Sequence, residues 1–312
     1  MAAKAFSTHG EQIALLRARG MDLAEDTAAR RILERVNYYR LSGYWYPFRA
    51  PSPEGNDRLD HFIAGTTFDD VVALYDFDER LRTAVFAALT SIELTLRSML
   101  GHALGRIDPL IHLVPAFLGP VATHPGSDSP SSQYLSWHKL YDKKLAASRE
   151  DFVAHHRRKY GGQLPIWAAV EVMDWGLLTY LYKLAPTSVR NALATKARLS
   201  AAQLGSWMKA LNIVRNYSAH HARMFNRVYT LKARLPRKGS HPGLDAVAPR
   251  INRCFGQLTL IQYLLTVWDI GDRTLLPQTL ATYPDVWAVP IAHIGAPHNW
   301  HELSLWRASS LR

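Results

Sequence analysis

Leu74, Phe77, Leu81, Val85, Leu89, Ile92, Leu96 and Met99 recur at steps of three and four, the spacing that gathers apolar side chains on one face of an α-helix. The run predicts a long amphipathic helix over 68–104. Thr67 stands where an N-cap is wanted, and Asp69 and Asp70 follow in the first turn, where the helix dipole favours acids. The polar face is expected to carry Arg80, Arg82, Glu93 and Arg97. The last two are four residues apart and can pair.

The same periodicity predicts helices over 7–19, closed by Gly20, and over 23–38, 135–160, 165–184 and 248–268. Pro165 opens the 165–184 helix, which is apolar on most sides, and its acid Glu171 is expected to pair with an arginine. A helix capped by Ser200 carries Leu204, Met208, Leu211, Ala222 and Phe225 as its buried stripe, which extends it through residue 227. Residues 38–48 are strongly aromatic but punctuated by Gly43 and Pro47, so a packed bend whose rings cap the core is expected there. A short extended piece or turn is expected over 60–66, and a long loop with one helical turn over 106–134. The pattern shows no strand of period two, no glycine-rich nucleotide loop and no zinc-protease helix motif. The expected fold is a single all-α domain: an N-terminal helical and aromatic subregion over 1–66, a helical core over 67–271, and an irregular tail over 272–312 with one short helix at 275–283.

Composition changes the picture in two ways. The chain has 312 residues, 48% of them apolar, and a formal net charge of +11. A core can therefore be buried, and the charge excess points to a polyanionic partner, most simply nucleic acid. Cys254 is the sole cysteine, which excludes an internal disulfide and a cysteine-based zinc site and suits a reducing compartment. The greasiest stretches are 166–185, interrupted by Glu171, Asp174 and Lys183, and 258–270, short of the roughly 20 residues that span a bilayer. The opening residues have no apolar segment of the secretory kind. A cytoplasmic protein with no membrane partner is expected.

The candidate chemistry lies in Arg215-Asn216-Tyr217-Ser218-Ala219-His220-His221-Ala222-Arg223-Met224-Phe225-Asn226-Arg227. On one continuous helix, Asn216, His220, Arg223 and Arg227 form a polar stripe opposite Leu204, Met208 and Leu211. Arg215 precedes His220 by five residues and lies about 140° away around the axis. These groups suit RNA cleavage without a metal. A 2′-hydroxyl attacks the adjacent phosphate, His220 moves the proton, and Arg215 binds the phosphate through two hydrogen bonds. Asn216 orients a phosphate oxygen or the imidazole, and Arg223 and Arg227 hold flanking phosphates. His221 faces elsewhere, so the second histidine is expected from a partner subunit's copy of His220. Adjacent His155 and His156 point to different sides of their helix, which argues against a shared metal.

Arg215-Asn216-x-x-x-His220 resembles the R-N-x-x-x-H signature of HEPN ribonucleases. The wider run resembles the Abi-like (AbiD/AbiF) abortive-infection family, and so do the Tyr38-Tyr39-Arg40-Leu41-Ser42-Gly43-Tyr44-Trp45-Tyr46-Pro47-Phe48-Arg49 block, residues 68–82 with Glu93 and Arg97, residues 164–176, and the Trp300 and Leu305-Trp306 ending. The resemblance implies an all-helical HEPN bundle and a phage-defence or toxin role. It implies ribonuclease activity at Arg215, Asn216 and His220, composite across a homodimer, with a structured non-coding RNA as antitoxin. It extends to RNA or phosphate contacts by Arg223, Asn226, Arg227 and Arg97 and to support from Glu93 and Glu171; His221 is a further candidate phosphate contact, and neither metal nor cofactor is expected. Two other readings stay open on the residues themselves. One is an RNA-binding protein without catalysis; the other is an interaction module that docks through the aromatic run.

Overall fold

The structure is a computed structural model in which residues 5–55 and 57–307 are described. Its axis is the Phe68–Gly105 helix, 38 residues long and so roughly 57 Å from end to end. Thr67 caps it as the sequence indicates, its Oγ1 accepting the Asp70 amide at 3.0 Å. Leu74, Phe77, Leu81, Val85, Leu89, Ile92 and Leu96 are all buried. Helices Tyr38–Trp45, Ile166–Ala169, Thr187–Lys196, Ala201–Ala219, Cys254–Trp268 and Leu275–Ala281 pack around this central helix. By length and composition it is the one helix among the described residues that could cross a bilayer, rather than the two stretches singled out above. Half of its most apolar window is buried inside the fold, where its own neighbours cover it. The buried cluster runs from Ile13 to Trp306, and Trp306 stacks on Phe255 with ring centroids 4.9 Å apart, docking the tail on the core.

Several expected elements take a different form. The 23–38 helix is two helices, Asp26–Arg35 and Tyr38–Trp45. Val36 is extended, and the Asn37 side chain restarts the helix by accepting the Tyr39 amide at 2.8 Å. The aromatic run is therefore largely helix, not bend. Leu41, Tyr44, Trp45 and Phe48 are core residues while Tyr39 and Tyr46 are exposed, so most of the run is spent on packing and does not form a docking face. Behind it, Arg49–Pro51 pairs antiparallel with Arg58–Phe62, Arg49 opposite Phe62 and Pro51 opposite Arg58. Strands this short and irregular leave no alternating pattern to read.

The 135–160 helix divides into Ser132–Ala147 and Asp151–Lys159 around an extended Ser148. The 165–184 helix also divides. Ile166–Ala169 passes through a tight turn, Val170–Val172, into extended Met173, and Asp174 then caps Trp175–Leu184 by accepting the Leu177 amide at 3.0 Å. This break turns the Met173 carbonyl outward to a neighbouring side chain, which matters below. The final core helix begins at Cys254, not at 248, and a short helix spans Leu275–Ala281.

Candidate functional site

The Ala201–Ala219 helix opens with a capping box, Ser200 and Gln203 bonding each other's backbone amides. It buries Leu204, Trp207, Met208, Leu211 and Val214. It stops at Ala219, well before residue 227. His220 is the C-cap, its amide still bonded to the Asn216 carbonyl at 2.9 Å, and His221 turns the chain away with φ at 55°. Asn216 and His220 remain one turn apart, both exposed. Arg223 and Arg227 lie beyond the helix, so the expected four-residue stripe exists only in its first half.

The helix ends there because a carboxylate on the central helix competes for the next amides. Asp78, fully buried, accepts the Phe225 amide at 2.7 Å and the Met224 amide at 3.1 Å. It also accepts the Tyr44 hydroxyl at 2.6 Å and Arg82 Nη1 at 2.7 Å. Burial pushes the Asp78 carboxyl up from the ordinary carboxylate range, against the opposing pull of Arg82, Tyr44 and the two amides. Phe225 is buried as expected, but it stacks on Tyr44 at 6.0 Å from a turn, not from a helical stripe. Arg82, expected on the polar face, is buried too.

The arginines of the turn fasten it to the aromatic helix. Arg223 donates to the Gly43 carbonyl, and a Cβ at Gly43 would lie 3.2 Å from the Arg223 side chain. Gly43 thus serves close approach, not a bend. Burial, with Arg227 nearby, lowers the Arg223 pKa from its usual value. Arg227 Nε donates to the Arg223 carbonyl at 2.6 Å, and its guanidinium covers the Tyr217 ring at 4.3 Å. Arg40 donates to the His221 carbonyl. Asn226 is left-handed and half-buried. Expected as phosphate ligands on a helix, Arg223 and Arg227 instead bind backbone and shape the turn that follows His220.

Arg215 faces the central helix. Its Nε lies 3.6 Å from Glu93 Oε2 and its guanidinium 5.8 Å from the Phe86 ring centroid. Glu93, only 7% exposed, uses its other oxygen to accept Arg97 Nη2 at 2.6 Å. The same Arg97 nitrogen donates to the Met173 carbonyl at 2.8 Å, and Nη1 lies 3.7 Å from Glu171 Oε2. One buried carboxylate therefore holds two guanidiniums, and the break before Asp174 supplies the carbonyl that orients one of them. Arg97 spends Nη1 and Nη2 on the protein, its buried Nε alone lacking an acceptor among the described residues. Arg215 does not: among the described residues its guanidinium forms no hydrogen bond. Asp174 is close enough to feel it. Burial works against the Asp174 charge, but the Leu177 amide, the Lys144 ammonium at 2.9 Å and the Arg215 charge together hold its carboxyl below the usual range.

Within one copy, then, Arg215 points at the core while Asn216 and His220 face solvent, and no hydrogen bond or ion pair joins the two halves of the motif. His155 and His156 do not diverge as expected. Their rings are 5.9 Å apart and both line one cleft. No group of three His, Cys, Asp or Glu side chains is placed to hold a metal among the described residues.

The roles of Asp78 and Arg82, and of Tyr44 and Asp174, were not read from the sequence, where Arg82 was placed on the polar face and Asp174 only interrupted an apolar stretch. The signal for the first pair was present: Asp78 and Arg82 stand four apart among Leu74, Phe77, Leu81 and Val85, on the face that packs inward. Asp174, directly before the Trp175-Gly176 start of a helix, had the residue type of an N-cap.

Compared with known proteins, the chain matches no curated protein and no solved structure. A family model, that of the Abi-like proteins, matches residues 31–226, from the helix that precedes the aromatic run to the turn held by Asp78. The match supports a role in abortive infection, the form of phage defence that the sequence resemblance implied. With well over half its length matched, the chain belongs to the Abi-like protein family.

Proposed function

We propose that the protein is a metal-independent endoribonuclease of the HEPN kind, a toxin in phage defence held in check by a cognate structured RNA. The observation that carries this reading is the Arg215 guanidinium. Glu93 holds it electrostatically and its guanidinium lies over the Phe86 ring, yet it forms no hydrogen bond among the described residues, on the same helix end that presents Asn216 and His220 to solvent. A guanidinium so placed suits the two oxygens of a phosphodiester.

In the reaction, His220 accepts the proton of a ribose 2′-hydroxyl as its oxygen attacks the adjacent phosphorus. The bond to the 5′-oxygen of the next nucleotide breaks, and a second imidazole protonates that leaving oxygen. The products are a 2′,3′-cyclic phosphate and a free 5′-hydroxyl. Arg215 stabilises the charge on the non-bridging oxygens of the transition state, and Asn216 orients one of them or the imidazole. Because Arg215 and His220 diverge within one copy, the working unit is two copies: Arg215 of one meets His220 of the other, and the two histidines supply acid and base. Arg223, Arg227 and Arg40 hold the turn that sets the His220 position.

The same divergence also suits an RNA-binding protein without catalysis. Cleavage of labelled RNA by purified protein separates the two. His220→Ala and Arg215→Ala are each expected to lower the rate by about 100-fold or more, and the parent's product is expected to end in a 2′,3′-cyclic phosphate. Variants that cleave like the parent would remove the catalytic assignment. A parent that binds RNA tightly and leaves it intact would favour the binding reading.

A further inference from the structure

Glu93, Arg97, Gly101 and Gly105 follow one another at steps of four along a single face of the central helix. The first two belong to the Arg215 network. The second two let the Ile166–Ala169 segment press onto the helix. A Cβ at Gly101 would lie 3.1 Å from the Trp167 Cα, and one at Gly105 would lie 2.8 Å from its ring. The outcome is a tryptophan pinned along one edge while 52% of it faces solvent. Two clefts meet at this ring. One, of about 440 Å³, is bounded by Arg97, Glu171, His102 and Arg106. The other, of about 490 Å³, is bounded by His155, His156 and Tyr160. Arg106 is exposed and enters none of the ion pairs among the described residues. Beside the second cleft, Arg157, Arg158 and Lys159 end their helix in a run of positive charge.

An immobilised, half-bare indole between an arginine-lined cleft and a histidine-lined cleft that borders a basic helix end has the composition of a base-stacking platform: an aromatic plane for the nucleobase and cations nearby for the backbone. Charge complementarity selects the occupant, since the chain carries a net charge of +11 and these walls are lined by arginine and histidine. We infer that Trp167 stacks an unpaired base of single-stranded RNA, with Arg106 on the adjacent backbone. The strand would then run through the cleft between Arg106 and Arg97 toward Arg215. Twelve residues of helix separate Gly105 from Glu93, roughly 18 Å, so the stacked base lies some nucleotides away from the phosphate that is cut. This inference rests on RNA being the substrate, and it gives that reading a substrate class: an unpaired segment extending beyond the scissile bond.

The test uses the full chain and a fluorescent single-stranded RNA carrying 2′-O-methyl groups, which has no attacking hydroxyl and reports binding whatever the catalytic residues do. Trp167→Ala is expected to raise Kd about 5- to 100-fold with an unchanged salt slope, and Trp167→Phe to restore most of the binding. Arg106→Ala is expected to flatten the dependence of log K on log salt by about 0.7. An RNA with abasic spacers across the bound segment is expected to bind the parent more weakly and to lose its sensitivity to Trp167→Ala. Equal Kd for parent and Trp167→Ala would overturn the inference, as would an equal Trp167→Ala penalty on abasic RNA. So would a Trp167→Ala effect on subunit association alone, which would make the platform a contact between copies. A Trp167-dependent Kd in a protein that never cleaves unmodified RNA would remove the nuclease reading and leave the platform standing. Cleavage that depends on His220 with no part for Trp167 would do the reverse.

Discussion

The central helix carries an acid four residues before an arginine three times, and two of these pairs, Asp78 with Arg82 and Glu93 with Arg97, do opposite things. Asp78 and Arg82 lie on the fully buried face of the helix. Asp78 meets four donors, and the result is frame: the turn after His220 is nailed to the core. Glu93 and Arg97 lie further along, at an edge. Glu93 also faces a second arginine, and that second guanidinium is left without a hydrogen bond among the described residues. The same local motif yields structure where every donor is matched and a candidate site where one is not. His112 marks a third case, buried with no partner at either ring nitrogen among the described residues and standing edge-on to Tyr141.

The sharpest way to break the contrast is to remove each acid in turn. Asp78→Ala leaves Arg82, Tyr44 and two amides without their acceptor. It is expected to cost about 3–5 kcal/mol of stability, read from urea unfolding, and to reduce activity only through the loss of folded protein. An Asp78→Ala variant as stable as the parent would mean that the turn holds by other means.

The next effect is smaller and depends on pH. Burial, with the charge of His138 a lesser cause, pushes the His112 pKa down to about 4. A histidine whose folded pKa lies below its unfolded value of about 6.5 stabilises the fold fully above that value, and the contribution is lost as pH falls toward 4. The loss is about 3 kcal/mol across that window. His112→Phe, which keeps the contact with Tyr141, is expected to flatten the fall in stability between pH 7 and pH 4.5. An unchanged fall in the variant would assign it to other groups.

Glu93→Gln is expected to have the smallest effect on stability, about 1 kcal/mol, because its neighbours are only partly buried and can turn to water. Its effect on cleavage is expected to be at least tenfold, since Arg215 loses its electrostatic anchor, while the RNA Kd changes little. Should stability and activity fall together, as for Asp78, the two acid–arginine pairs would be alike after all.

These cases also show what could be read from the chain alone. Leu74 through Leu96 announced the central helix because its period is local, and Thr67 and Ser200 announced their caps for the same reason. Glu93 with Arg97 was readable as an i, i+4 pair. The link from Glu93 to Arg215 was not, because it joins residues far apart in the chain. The end of the helix at Ala219 was hidden likewise: Ala222 and Phe225 continue the apolar period, and only Asp78, reaching from another helix, takes the amides that would extend it. Asn37 and Asp174 broke two expected helices by capping new ones, a signal that was local but outweighed by the apolar run around it. His155 and His156 were expected to diverge from helical geometry alone, and the cleft beside Trp167 brings them together.

The central claim is that Glu93 holds Arg215 of one copy for His220 of another. Mixing purified Arg215→Ala and His220→Ala proteins, each inactive alone, tests it most directly. In a mixed pair, one intact Arg215 meets one intact His220 while the second imidazole is missing, so RNA cleavage is expected to rise on mixing above that of either variant alone without reaching the parent rate. Cleavage that stays absent in mixtures shown to contain mixed pairs would contradict the two-copy site.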